Sequence, residues 1–405
     1  MNESEKFVVR KVRHGGGQLS YWIFHPDATV HRASMDVLVR YQTSTQQTYA
    51  YGLVDHLNWA KANNKSAASM SIDDLKRYMN GVTGQAPGVY GMPWRDPDRA
   101  PLGASAAANV ATIVKAYYLH LSRSGQANPE LAQSLTAERV FSHSVRSRGI
   151  VESNPLAPKK NARGPRFLPD SVVSALFEPG VLRSARDVMI VTWLHDGGLR
   201  VGGLCGLRFS DLHLVRSHPC GQRADPHIHI VGRDDNPNGA RAKSYRTGRH
   251  LSTDGYVVDG VIRAVSPDMI STFYAYLLDE FHPVQGLVDH DQVLIHGRGP
   301  TPGAALTTTG VRRMLRRACQ RANLNARVTP HAFRHKAAAA FYASTDFNAE
   351  MVAQEFGWST PEMVTDLYGK SANREAMKFL RKAWESTARP HAEDHLDSTA
   401  SQEDQ

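Results

Sequence analysis

Residues Thr329 to Lys370 read TPHAFRHKAAAAFYASTDFNAEMVAQEFGWSTPEMVTDLYGK. His331 and Arg334 stand in H-x-x-R spacing near the start, about one helical turn apart, so both side chains can share a face. Between Asn348 and Tyr368 two helical stretches are divided at Gly357, an outline that also fits a helix-turn-helix. Trp358 follows the break, and Tyr368 comes ten positions later. A cation, an imidazole, an indole N–H and a phenol brought together would suit a phosphate and a nucleophile. Taken singly, each has an ordinary explanation: an arginine in a surface ion pair, a tyrosine that packs. The rest of the chain decides between these readings.

The chain has 405 residues, 41% hydrophobic and 21% charged, which suits a globular protein of two domains. The longest mainly apolar run, near Val188 to Leu194, is far too short to span a bilayer, and the N-terminus resembles no signal peptide. Three cysteines (Cys205, Cys220, Cys319) without a C-x-x-C pair argue for a reducing compartment, so the expectation is a cytoplasmic protein with no membrane association. The net charge of +9 is compatible with a polyanionic partner without requiring one. The acidic, polar segment from Arg389 to Gln405 makes the remainder more basic still, and its lack of apolar periodicity predicts disorder.

Working back from the N-terminus, Phe7 to Val30 reads as strand, Gly15-Gly16-Gly17 turn and strand, a hairpin expected to pack on its neighbour rather than reach for a ligand. Helices follow: one capped by Ser44 or Thr45 and running through Trp59, one over Ile72 to Met79, one over Ser105 to Ser122 and a short one near Pro129 to Leu135. Gly81 to Gly103 is rich in Gly and Pro and reads as loop. From Ser142 to Arg166 the composition turns to Arg, Lys, Pro and Gly, an interdomain linker whose charge would suit a phosphate backbone. A second helical region starts at Pro169-Asp170-Ser171, and its Val188 to Leu194 helix should be buried. Ile228, Ile230 and Val231 suggest a strand, and NPNGARAKSYRTGRHLS a turn with a return strand carrying Lys243. Helices over Met269 to Leu278 and Val311 to Leu315 complete the pattern.

Two more polar groups stand out by setting, Arg200 and the Lys243 of the basic turn. Arg200 follows the buried helix and a Gly197-Gly198 break in HDGGLRVGGLCGLRFSDL, so the core places it while its head stays free to meet a ligand. Two guanidinium groups suit a phosphate because each donates parallel hydrogen bonds to its oxygens. Nearby cations favour the ionised form of a phenol, and a lysine can give a proton to a departing alkoxide.

The order Arg–Lys–His-x-x-Arg–Trp–Tyr, after a helical region and a basic linker, resembles the tyrosine recombinases, or phage integrases, over about residues 44 to 385. GGLRVGGLCGLRFSDL, ARAKSYRTGR, TPHAFRHKAA and FGWSTPEMVTDLYGK carry the likeness. The resemblance implies a mainly α fold with a small β-sheet (α+β): a hairpin extension over 1–40, a helical core-binding domain over 41–150, a basic linker over 151–168, a catalytic domain over 169–385 and a disordered tail over 386–405. It implies a phosphate-clamping pair in Arg200 and Arg334, a general acid in Lys243, a proton-transfer assistant in His331, Trp358 at the family's His-or-Trp position and Tyr368 as nucleophile. It also implies cleavage and rejoining of double-stranded DNA at specific sites through a 3′-phosphotyrosyl link and a four-way junction, by a homotetramer, without cofactor or metal. One position departs from the pattern: the family usually has an acidic residue three after the first arginine, and here that place is Gly203, while Asp211 matches another frequent position.

Two readings compete: a non-catalytic DNA-binding protein on the same fold, and a topoisomerase that relaxes DNA by the same link. A separate cluster, His213, His218, Cys220, His227 and His229, puts two imidazoles on one strand face at His227-Ile228-His229. Its spacing matches no standard zinc signature, and the expectation is a polar strand edge with no bound metal. His335, beside Arg334, reads as a hydrogen-bonded structural residue.

Overall fold

The structure is a computed structural model that describes residues 5–15, 19–84, 94–95, 100–136, 139–142, 149–158, 167–243, 251, 255–258 and 260–369. The chain divides into two compact units, Met1–Arg163 and Gly164–Gln405.

In the first unit β1 (Val8–Arg13) and β2 (Leu19–Phe24) form an antiparallel hairpin in which Val8 faces Phe24 and Arg13 faces Leu19. The hairpin lies on α2 (Thr43–Ala62): the Phe7 and Tyr21 N–H groups donate to Asn58 Oδ1 and Gln46 Oε1, each at 2.8 Å, and Ile23 is wholly buried. Helix α1 (Arg32–Leu38) has no counterpart in the sequence reading; at seven residues it is too short to display a period, and Val37 and Leu38 bury its apolar side. The expected Ser44 or Thr45 cap lies inside α2, whose N-cap is Gln42.

Helix α3 (Ile72–Thr83) starts with a reciprocal capping box between Ser71 and Asp74 and runs four residues past Met79, into the stretch read as loop. Helices α4 (Ala104–Arg123) and α5 (Pro129–Thr136) close the core, α4 burying Val110, Ile113, Val114, Tyr117, Tyr118 and Leu121. The stretch read as linker contains structure. β3 (Arg139–Ser142) pairs antiparallel with β4 (Gly149–Glu152), and Leu156 is buried in this unit's core, one apolar side chain tying down a polar segment.

The second unit is helical around a small antiparallel sheet. It opens with α6 (Asp170–Leu176), α7 (Ala185–His195) and the short α8 (Val201–Cys205). α7 is as buried as its composition requires: Met189 to Leu194 are inside, and the Trp193 indole N–H donates to the Met269 carbonyl at 2.8 Å. The sheet has the order β5 (Leu212–His213), β6 (His227–Ile230), β7 (Val261–Ala264). Then come α9 (Pro267–Tyr276), a π turn and a 3-10 turn to Leu287, α10 (Thr308–Arg321), α11 (Pro330–Ser344), α12 (Ala349–Phe356) and α13 over 362–369. Thr329 caps α11, and Gly357 ends α12 in the left-handed conformation (φ 61°).

Two expectations in this unit are corrected. Lys243 is not on a strand: residues 240–243 are irregular, because Asn236 Nδ2 takes the Ala240 carbonyl at 2.7 Å and Asn238 Oδ1 takes the Ala240 N–H at 2.9 Å, removing both from any ladder. The strand paired with β6 is β7 instead. His213, His227 and His229 do not form a polar strand edge; they are at most 2% exposed. Among the described residues, no helix is long and apolar enough to cross a membrane. The remainder of the turn at 244–250 and the segment from 370 on lie outside the described residues.

Candidate active site

The site is assembled where the end of α7 meets α11 and α12. Gly198 makes this possible: its φ is +56°, and a Cβ there would stand 2.6 Å from the Phe356 ring and 3.0 Å from Ala337 Cβ. Its carbonyl accepts from Arg334 Nη1 at 2.9 Å, and the Phe356 carbonyl accepts from Nη2. Arg334 is thus held by two backbone acceptors, with its guanidinium 5.3 Å from the Phe356 ring centroid and 5.1 Å from that of Trp358. Burial, with Arg200 and Arg263 close by, holds it well below the usual arginine range.

Arg200 is the N-cap residue of α8 and stays partly open. A second close approach brings Lys243 to it. A Cβ at Gly202 would lie 2.2 Å from the Arg241 carbonyl oxygen, so only glycine lets the 240–243 segment press on α8. Arg200 Nη1 then donates to the Lys243 carbonyl at 3.1 Å. Arg200, Lys243 and Arg334 line one small cleft of about 20 Å³, together with Gly203 and Arg263. Among the described residues no carboxylate pairs with Arg200 or Arg334, so the two cations remain available to an anion.

Arg263, on β7, escaped the sequence reading. Its guanidinium donates to the Gly197 carbonyl (Nε, 3.1 Å) and the Glu355 carbonyl (Nη1, 2.6 Å), pairs with the Glu355 carboxylate at 3.2 Å and lies 4.1 Å from the Phe356 ring centroid. Burial lowers its pKa to about 10, against the pull of Glu355. Arg263 therefore supports the backbone on which Arg334 depends. Asp211 is wholly buried in a bidentate pair with Arg233 at 2.7 and 2.5 Å and does not reach the cleft.

His331 stands exposed in the first turn of α11, with its pKa lowered by partial burial and by Arg334, Arg200 and Lys243. Its ring centroid is 4.2 Å from that of His335, one turn on. His335 reaches the phenol: its Nδ1 lies 2.8 Å from the Tyr368 hydroxyl. Burial, then His331 and Arg334, pushes His335 down to about 4, so the ring is neutral near pH 7.

Tyr368, on α13, is 1% exposed and packs near Phe167, Trp358 and Tyr342. Burial raises its pKa, with Arg334 opposing. Trp358 stacks on Phe356 at 5.6 Å and 18°, between Arg334 and the phenol. The structure thus gathers Arg200, Lys243 and Arg334 at one cleft, with Trp358 beside Arg334. Tyr368 sits in the adjoining apolar cluster rather than on the cleft wall. His335, read from the sequence as a hydrogen-bonded structural residue beside Arg334, does make such a contact, and its partner is the phenol.

The fold is similar to those of solved proteins in complex with DNA. The solved Tn1549 transposon integrase in complex with circular intermediate DNA superposes with a TM-score of 0.55 at 14% identity, covering 85% of this chain and 98% of that one. The XerH site-specific recombinase bound to palindromic difH substrate gives 0.50 at 15% identity, covering 85% and 80%. In sequence, residues 274–375 match the model of the phage integrase family. The tyrosine recombinase XerC of Anoxybacillus flavithermus is 26% identical over 229 residues, 55% of this chain and 65% of that protein. XerD of Halalkalibacterium halodurans is 24% identical over 228 residues, 54% and 64%. The chain spans just under two thirds of the length of these relatives. In sequence the chain is thus similar to tyrosine recombinases over about half its length, and residues 274–375 carry the match to the phage integrase family.

Proposed function

We propose that the chain is a site-specific DNA recombinase that cuts and rejoins duplex DNA through a 3′-phosphotyrosyl intermediate on Tyr368. The observation that carries this reading is the convergence of Arg200, Lys243 and Arg334 on one cleft that lacks a carboxylate partner among the described residues, with the Tyr368 hydroxyl held by a neutral imidazole in the adjoining cluster. The cleft suits a scissile phosphate: each arginine directs fixed donors at its oxygens, and such a donor contributes about 3 to 4 kcal/mol when charge develops in the transition state.

The phenol oxygen attacks phosphorus, the bond to the 5′ oxygen breaks, and the phenolic proton passes to the neighbouring imidazole pair His335 and His331. Lys243 protonates the departing 5′ oxygen. Bond energy is kept in the phosphotyrosyl link, and the 5′ hydroxyl of a partner strand reverses the step. Attack requires the phenol to leave its apolar setting, so helix α13 must shift when DNA occupies the cleft. The same reading assigns the helical first unit to DNA binding and the assembly to a homotetramer on paired specific sites.

A nicked suicide substrate tests the proposal. The chain should form a covalent protein–DNA band that Tyr368→Phe abolishes while leaving DNA affinity in place. An undiminished band from Tyr368→Phe would overturn the assignment. Binding with no band from either protein would favour the non-catalytic reading, and rapid relaxation of plasmid without a specific site would favour a topoisomerase.

A further inference from the structure

We propose that His213, Cys220, His227 and His229 form a four-ligand site for a structural transition-metal ion of the zinc class. The four ligand atoms lie within 4.8 Å of one another, and all four residues are buried. The sheet register supplies the arrangement that the linear sequence lacks. His213 is the cross-strand partner of His227, and His229 follows two positions along β6, so the three imidazoles share one sheet face. Cys220 comes over that face from the loop joining β5 and β6. The linear spacing matches no zinc signature because the ligands are collected by strand pairing rather than by a short knuckle.

The local geometry favours a metal over a set of hydrogen bonds. His227 Nδ1 lies 2.8 Å from the Asp225 carbonyl oxygen. That oxygen can only accept, so Nδ1 carries the proton and Nε2 presents a bare lone pair. Two groups meet that lone pair, His213 Nδ1 at 3.3 Å and Cys220 Sγ at 3.2 Å. Only one of them can donate to it well. Bonds of about 2.0 to 2.3 Å around a tetrahedral ion separate its ligand atoms by roughly 3.3 to 3.6 Å, close to both distances. The carbonyl on His227 is also the outer partner that orients a metal-bound imidazole. His218 braces the arrangement from outside: its ring stacks on His213 at 3.7 Å, and its Nδ1 accepts the Cys220 N–H at 3.2 Å.

Four protein ligands leave no open coordination position, so the ion's role is structural. Binding releases the Cys220 thiol proton and fixes the loop to the sheet. That loop carries Arg223, which pairs at 3.2 Å with Glu355, and the same carboxylate pairs with Arg263. The ion thereby steadies the support beneath the Arg334 backbone partners without touching the cleft.

The full chain, expressed without an affinity tag and purified without chelator, should retain about one equivalent of zinc after dialysis. Replacement by cobalt(II) should give the visible absorption of a tetrahedral site with a thiolate charge-transfer band. Cys220→Ser should lose that band, and His218→Ala should keep it. Stripping the ion should lower Tm. Zinc below about a tenth of an equivalent, with no tetrahedral spectrum from the unmodified chain on cobalt titration, overturns the proposal, and that outcome does not depend on any variant folding.

Discussion

The Tyr368 hydroxyl lies 2.8 Å from Nδ1 of His335, a ring that burial and the neighbouring His331 and Arg334 hold at about 4. A neutral imidazole at that distance can take the phenolic proton, whereas His331 stands one turn away at the exposed start of α11. His335→Ala should therefore slow covalent adduct formation roughly a hundred- to ten-thousand-fold, the range for a lost general base, with DNA affinity unchanged. His331→Ala should cost less. Single-turnover cleavage of a nicked duplex measures both, and equal losses would remove the distinction between the two rings.

Arg200 and Arg334 should separate into different kinds of defect. Arg200 is partly open and makes one backbone contact, so Arg200→Ala should reduce cleavage roughly a hundred- to thousand-fold with little change in Tm. Arg334 is 3% exposed and supplies donors to the Gly198 and Phe356 carbonyls. Arg334→Ala leaves both unmet and should cost about 1 to 3 kcal/mol of stability for each, as well as activity. Denaturant unfolding beside the cleavage assay tests the split.

How much of this was legible in the sequence follows from the range of each signal. Helices α4 and α7 were readable because burial imposes a period or an unbroken apolar run on ten or more residues. The left-handed turn at Gly357 and the proline start of α11 carry local chemistry of their own. Lys243 lies beside Arg200 but on irregular backbone rather than on the expected strand, since two asparagine side chains compete for the amide and carbonyl of Ala240. Arg263 and Glu355 are 92 residues apart, and no local pattern marks an arginine on β7 as support for one on α11. The His/Cys cluster is visible in the sequence as residue types, but its arrangement is not, because the pairing of His213 with His227 is a matter of cross-strand register.

The absent carboxylate at Gly203 offers a third test. A Cβ at that position would lie 3.0 Å from Ile230 Cγ2, and the cleft beside it is already lined by Arg263. Gly203→Asp should therefore lower stability without raising cleavage. Glu355 holds the charge of Arg263 from the other side, and Glu355→Gln should cost about 3 to 5 kcal/mol by leaving that guanidinium buried without its counter-ion. Faster cleavage by Gly203→Asp, with Tm unchanged, would show that the missing carboxylate limits this site.

Stability should fall with acid in a window set by histidines. Burial holds His31 at about 4, His56 at about 3 and His335 at about 4, against about 6.5 in the unfolded chain. Between those values the unfolded chain binds more protons than the folded one, so stability rises with pH there. The contribution is complete above about 6.5 and is lost as pH falls towards 4. Geometry supports the sign. His31 Nδ1 accepts the Ser34 N–H at 3.2 Å to cap α1, and a proton on that nitrogen would set donor against donor. His56 is wholly buried, with Nε2 2.9 Å from the Tyr118 hydroxyl, and must charge in an apolar core. The lowered carboxylates, Asp74 and Asp196 among them, act only below their ordinary value of 3.8, so the upper window belongs to the imidazoles. Tm measured against pH should be level above about 6.5 and decline towards 4, and His56→Gln should make that decline shallower. A curve that stays level down to 4 would mean that these rings charge without cost, contrary to their burial.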